Sequence, residues 1–177
     1  MREIRCCNSS RCRFVSYNGS VSIIDFAFRM AYRAAYQAMR VYWRLARPVT
    51  RGALVAIWNN GEILLVKNSY VNYYCVPGGY LKAAETPVEA AVRELAEEVS
   101  IQVPPESLKL GLEETHTWEG KTDMVSIFDL DVKERPVFRV DNREVIDAEF
   151  FSPHYALEIK LFPPLRRHLE ARLAKQA

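Results

Sequence analysis

Two adjacent glycines, Gly78 and Gly79, stand directly behind Pro77 and a few residues ahead of a strong helix start, and no other stretch restricts the chain so tightly. Proline has a fixed φ and no N–H, and glycine permits sharp reversals. The apolar run Tyr73 to Val76 therefore reads as a strand that ends here in a turn. Thr86 can cap the first turn of a helix, Pro87 suits the first helical position, and Glu89 completes a capping box. Val88, Ala91, Val92, Leu95 and Val99 then recur at helical spacing, which predicts a buried face. Strand, turn and amphipathic helix in that order need a sheet for the helix to cover.

The flanking sequence supplies the strands. Ala53 to Trp58 and Glu62 to Lys67 bracket Asn59, Asn60 and Gly61, and Asn-Gly between two apolar runs predicts a hairpin. Beyond Pro104 and Pro105, strand-like segments fall near residues 108–115, 124–132 and 144–151, and a short amphipathic helix over 164–175. Residues 51–177 thus read as one α+β domain. Ahead of it, 22–47 has helical periodicity. Ile24, Ala27, Ala31, Ala34, Ala38, Val41, Tyr42 and Leu45 lie on one arc and Arg29, Arg33, Arg40 and Arg44 on the other, and Pro48 ends the pattern. Residues 1–21 read as a mobile basic tail. With 49% hydrophobic and 26% charged residues, the composition is that of a soluble domain with a proper core, and arginines interrupt every long apolar stretch.

The net charge of +2 conceals an asymmetry. Residues 1–51 carry ten arginines and two acids, leaving fourteen bases and twenty acids for the remainder, so the two parts are expected to face different partners. The apolar arc of the N-terminal helix is expected to bury itself against protein, either its own domain or a second copy in a homodimer. A weak contact with a membrane surface is the rival, given the arginines with Tyr32, Tyr36 and Trp43. Cys6, Cys7 and Cys12 lack partners at zinc-site spacing and read as free thiols, while Cys75 sits in an apolar strand. A reducing cytoplasm fits, although the Arg- and Ser-rich start also matches a mitochondrial transit peptide.

The chemistry concentrates on the helix after Gly79. Glu94, Glu97 and Glu98 project from one face, opposite Val88, Leu95 and Val99. Three clustered carboxylates repel one another unless a hard cation neutralises them, and oxygen-only ligands favour Mg2+, with Mn2+ as a substitute. Glycine-rich backbone and Arg93 beside them suit a metal-complexed diphosphate.

Gly79, Glu85 and the run Arg93-Glu94-Leu95-Ala96-Glu97-Glu98-Val99-Ser100-Ile101 resemble the Nudix box, G-x5-E-x7-R-E-U-x-E-E-x-G-U, with Ser100 in place of the last glycine. The resemblance implies the Nudix fold, an α/β/α sandwich with a mixed central sheet, here with the N-terminal amphipathic helix added. It implies that Glu94, Glu97, Glu98 and the Gly78 carbonyl bind metal, that Arg93 pairs with Glu85 and orients Glu94, and that activated water splits a diphosphate in a small nucleotide substrate. Glu94 is the expected general base and Glu144 the later-loop alternative. His116 and Trp118 are weaker candidates for substrate contact. No obligate nucleic-acid partner is implied. Marks of the ADP-ribose, NADH and coenzyme A subgroups are missing; Thr115 and His116 occupy the region where the first would carry a proline. Two other readings stand beside hydrolysis: a non-catalytic Nudix-fold module for ligand sensing or nucleic-acid binding, and an isomerase, for which only Cys75 and Glu94 could serve as acid and base.

Overall fold

A computed structural model of the protein describes residues 22–138 and 143–175. The expectations for residues 1–21, including Cys6, Cys7 and Cys12, lie outside the described residues. In chain order the elements are α1 (Ile23–Ala46), β1 (Val49–Asn59), β2 (Glu62–Asn68), β3 (Gly78–Tyr80), α2 (Pro87–Val99), a single 3-10 turn (Pro105–Ser107), β4 (Lys109–Trp118), β5 (Lys121–Asp131), β6 (Val145–Phe151), α3 (Pro153–Glu158) and α4 (Pro163–Ala174).

The strands form one mixed sheet in the order β4-β5-β1-β2-β6, with β3 paired to the start of β1. Among the described strands only β1 and β5 run parallel. β1 is buried without interruption from Ala53 to Asn59 because helices cover both sheet faces. On one face Val55, Ile57 and Phe128 pack under Ala91, Leu95 and Val99 of α2. On the other, Ala56, Leu65 and Ile127 meet Ala156 of α3 and Leu165 and Leu169 of α4. The result is an α/β/α sandwich with α1 added. The β1–β2 hairpin turns on Asn60 and Gly61, both at positive φ, 48° and 80°, the conformation that a two-residue type I′ turn requires. α2 starts as expected, with the Thr86 hydroxyl accepting from the Glu89 N–H and the Glu89 carboxylate accepting from the Thr86 N–H.

Three expectations are corrected. Tyr73 to Val76 is not a strand in its own right: it makes isolated bridges, Cys75 to Val66 and Tyr74 to Leu161. The strand is Gly78–Tyr80, where a turn was expected, and the glycines serve close approach to neighbouring groups. A Cβ on Gly78, whose φ is 150°, would run into the Ala53 carbonyl and the Leu54 backbone, and one on Gly79 into the Glu94 carboxylate. α3, capped by Ser152, was not anticipated, since it is too short to show a period.

The third correction concerns α1, whose apolar arc was expected to bury itself against its own domain or a second copy, and of these the first does not hold. Ser22 and Asp25 form its capping box and Arg47 closes it in the left-handed region. The Ala, Val and Leu arc, however, points away from the domain: Ile24 is 61% exposed, Val41 55% and Leu45 82%. The docked stripe carries Tyr32, Tyr36, Arg40 and Trp43, and Trp43 is the one buried residue of the helix. Arg33 Nε donates to the Ser69 carbonyl at 2.9 Å, Arg40 pairs with Glu119 at 3.1 Å, and Arg143 pairs with Asp25 at 3.1 Å. Part of the basic charge of the first segment therefore meets the acidic domain of the same chain. Polar matching decides the orientation, since the surface offered to α1 holds Glu119, the Ser69 carbonyl and Tyr70.

Candidate active site

β3 and α2 bring the acidic cluster together. Arg93 stands at its centre. Nε and Nη2 hold the two oxygens of Glu85 at 2.9 and 3.0 Å, Nη1 reaches Glu94 at 2.6 Å and Glu97 at 3.0 Å, and Nη2 also donates to the Tyr80 carbonyl at 3.1 Å. This bidentate clasp, with the Lys82 backbone N–H, holds the Glu85 carboxyl down at about 2. Glu98 Oε2 accepts from the Gly78 N–H at 2.9 Å, and Lys82 approaches Glu97 at 3.5 Å. Ser100 closes α2 at φ 59° and ψ 29°, the left-handed conformation in which glycine is favoured.

The donors that could hold an ion are all oxygens, which suits a hard divalent cation. Among the described residues no three acidic, His or Cys side chains converge closely enough to cage an ion as they stand. Glu94 and Glu97 turn toward Arg93 and Glu98 toward the β3 backbone, so binding an ion would require rotation of side chains and not of the helix.

A family model for the NUDIX domain matches residues 48–173, well over half of the chain. The chain belongs to the Nudix family. Solved structures share the fold at low identity. A MutT protein from Methanosarcina mazei Go1 has a TM-score of 0.63 at 21% identity, covering 73% of this chain and 96% of the other. The Ap4A hydrolase of C. elegans, in a binary complex, has a TM-score of 0.61 at 20% identity, covering 72% and 97%. The E. coli dihydroneopterin triphosphate pyrophosphohydrolase gives 0.58 at 20%, covering 68% and 92%. No curated protein sequence matches at a comparable level.

In the Nudix domain the carboxylates open onto a cavity of about 610 Å3, whose lining includes Gly78, Gly79, Glu94, Glu97, Glu98 and Glu144. Glu144, just before β6, accepts from the Tyr70 hydroxyl at 2.9 Å and shares the cavity with the helix carboxylates. Trp118 also lines it, and its Nε1 is buried without a hydrogen bond among the described residues. His116 does not line it. Its ring packs edge-on against Phe162 with centroids 5.6 Å apart, and burial lowers its pKa, which keeps it neutral. Cys75 reaches the cavity, but burial pushes its thiol up to about 12, so the thiolate that acid/base exchange would use is disfavoured.

Sequence reasoning missed much of the cavity lining, four residues of which carry chemistry of interest. Tyr36 and Tyr70 pack against each other in its lining with centroids 5.0 Å apart, and Lys121 and Asp123 form a buried ion pair on β5. The spacing of Tyr32, Tyr36 and Trp43 along one helix face was the available signal for the first. A lysine and an aspartate two apart on a strand carry no such signal.

Proposed function

We propose that this chain is a diphosphohydrolase that cleaves the diphosphate linkage of a nucleoside-diphosphate-type substrate with Mg2+, or Mn2+ in its place. The observation that carries this reading is the Arg93 clasp: one guanidinium orders Glu85, Glu94 and Glu97 beside two glycines and a cavity of substrate size. Two structural neighbours are named for hydrolysing Ap4A and dihydroneopterin triphosphate, which accords with a nucleotide-like substrate.

Glu94, Glu97, Glu98 and the Gly78 carbonyl would hold the metal. When bound it supplies charge neutralisation for the diphosphate and activation of the attacking water. Arg93 keeps Glu94 in place, and Glu85 keeps Arg93 in place. Glu94 takes the proton of the water, with Glu144 the second candidate because it lines the same cavity. In Glu98→Gln, Mg2+-dependent phosphate release from a nucleotide panel should fall by several orders of magnitude while circular dichroism is unchanged. Full activity in that variant rejects the assignment. Nucleotide binding without turnover by the wild type would favour the non-catalytic module instead. For the outward apolar face of α1, a second copy of the chain is the partner that its alanines suit, because they permit close helix approach.

A further inference from the structure

α1 lies outside the matched region 48–173, yet its Tyr36, Met39 and Trp43 line the same cavity as the carboxylates. It is clasped from two sides. The Tyr36 hydroxyl donates to Glu119 in the β4–β5 turn, where Gly120 packs on the backbone of Arg44, and the rings of Tyr32 and Tyr36 pack at a tilt against Tyr70 in the connection after β2. Trp43 meets Tyr36 edge-on at 6.0 Å, and the Lys121 ammonium sits 5.1 Å from the Trp43 ring centroid and 5.3 Å from that of Tyr80. This end of the cavity is therefore aromatic, but it is not purely apolar. Tyrosine hydroxyls and the buried Lys121–Asp123 pair put donors and acceptors among the rings.

We propose that α1 is the specificity wall of this enzyme, and that Tyr36 is the ring on which the base of a nucleoside diphosphate stacks while the diphosphate faces Glu94, Glu97 and Glu98. The proposal rests on the substrate class assigned above and adds where the base is held. A flat heteroaromatic base satisfies both features of this end: its face covers a tyrosine ring, and its edge carries donors and acceptors for the polar groups between the rings. A prenyl chain would cover the rings but leave Trp118 Nε1, which lines the cavity and has no hydrogen bond among the described residues, without a partner. Tyr36 also packs on Tyr70, whose hydroxyl donates to Glu144.

The test is calorimetric, on the full chain with Mg2+, using α,β-methylene analogues of ADP, GDP, CDP and UDP against methylenediphosphonate, the same phosphonate group without a base. The wild type should bind at least one nucleotide analogue roughly tenfold or more tightly than methylenediphosphonate. Tyr36→Ala and Tyr36→Leu should erase about tenfold of that ratio, and Tyr36→Phe should retain it, because stacking on an aromatic ring contributes on that order. Methylenediphosphonate affinity should be equal in all four proteins, which also reports that the variants fold. A wild-type ratio near one, a ratio unchanged in Tyr36→Ala and Tyr36→Leu, or tighter binding of geranyl diphosphate than of any nucleotide overturns the proposal. The analogues are not cleaved, so the ratio is read independently of turnover, and failure of hydrolysis in the Glu98→Gln comparison is a separate result.

Discussion

Single residues set the state of the acidic cluster, and Glu85 does so through charge. Its carboxyl titrates in the folded protein at about 2, below the ordinary value of 4.5, so the Arg93 clasp contributes stability above about pH 4.5 and loses it as pH falls toward 2. The difference in melting midpoint between wild type and Glu85→Gln should be largest above pH 5 and shrink steadily below pH 4. A difference independent of pH would mean that the clasp is not what lowers this group. Ser100 acts through backbone conformation. Holding a side chain at φ 59° has a cost that glycine avoids, so Ser100→Gly should stabilise the domain by about 0.5–1 kcal/mol, read as a higher unfolding midpoint with turnover unchanged. The two glycines of β3 should separate cleanly. Gly78→Ala forces a Cβ into backbone and should destabilise the fold by about 1–3 kcal/mol. Gly79→Ala meets only the movable Glu94 side chain, so it should depress turnover while the melting midpoint changes little.

At the scale of the element, α1 has two faces with different consequences. The docked face is polar and aromatic, and the outward face carries Ala27, Ala31, Ala34, Ala38 and Leu45 in contact with solvent. So continuous an apolar helix face is seldom left wet. If a second copy covers it, Ala34→Glu and Leu45→Glu should convert a dimer to a monomer in sedimentation velocity without altering nucleotide binding. A wild type that is monomeric and co-sediments with anionic liposomes, in a manner reversed by salt, assigns the face to a membrane surface instead. Among the described residues no helix is long and apolar enough to cross a membrane.

For the molecule as a whole, one half-buried acid ties the outer helix layer to the sheet. Asp129 on β5 accepts from Trp58 Nε1 at 2.6 Å, pairs with His168 Nε2 at 2.9 Å and lies 3.2 Å from Arg172, so α4 is joined to β1 and β5 at one point. Asp129→Ala leaves buried donors on Trp58 and His168 unpaired and should cost about 2 kcal/mol, measured by chemical denaturation. Double substitution with His168→Leu should cost less than the sum of the singles, because the two are each other's partners and their bond is lost only once. Strict additivity would show that Asp129 and His168 act independently.

The local rules in the sequence were enough for much of this. Thr86, Pro87 and Glu89 specify where α2 begins, Asn60 and Gly61 specify the hairpin, and the spacing of Glu94, Glu97 and Glu98 puts them on one helix whatever surrounds it. These are short-range effects of sterics, capping and helical period, and they made the family and its acidic cluster legible. Residues far apart in sequence were not legible in this way. Gly78 and Gly79 read locally as a turn, but pairing with β1 draws them into a strand, where closeness to Leu54 and Glu94 explains them better than chain reversal does. The apolar arc of α1 read as the buried face, but the surface it met holds Glu119, the Ser69 carbonyl and Tyr70, so the arginine and tyrosine stripe docked. Periodicity tells a helix which faces it has. Which face turns inward is decided by the chemistry of the surface it meets, and only the tertiary fold assembles that surface.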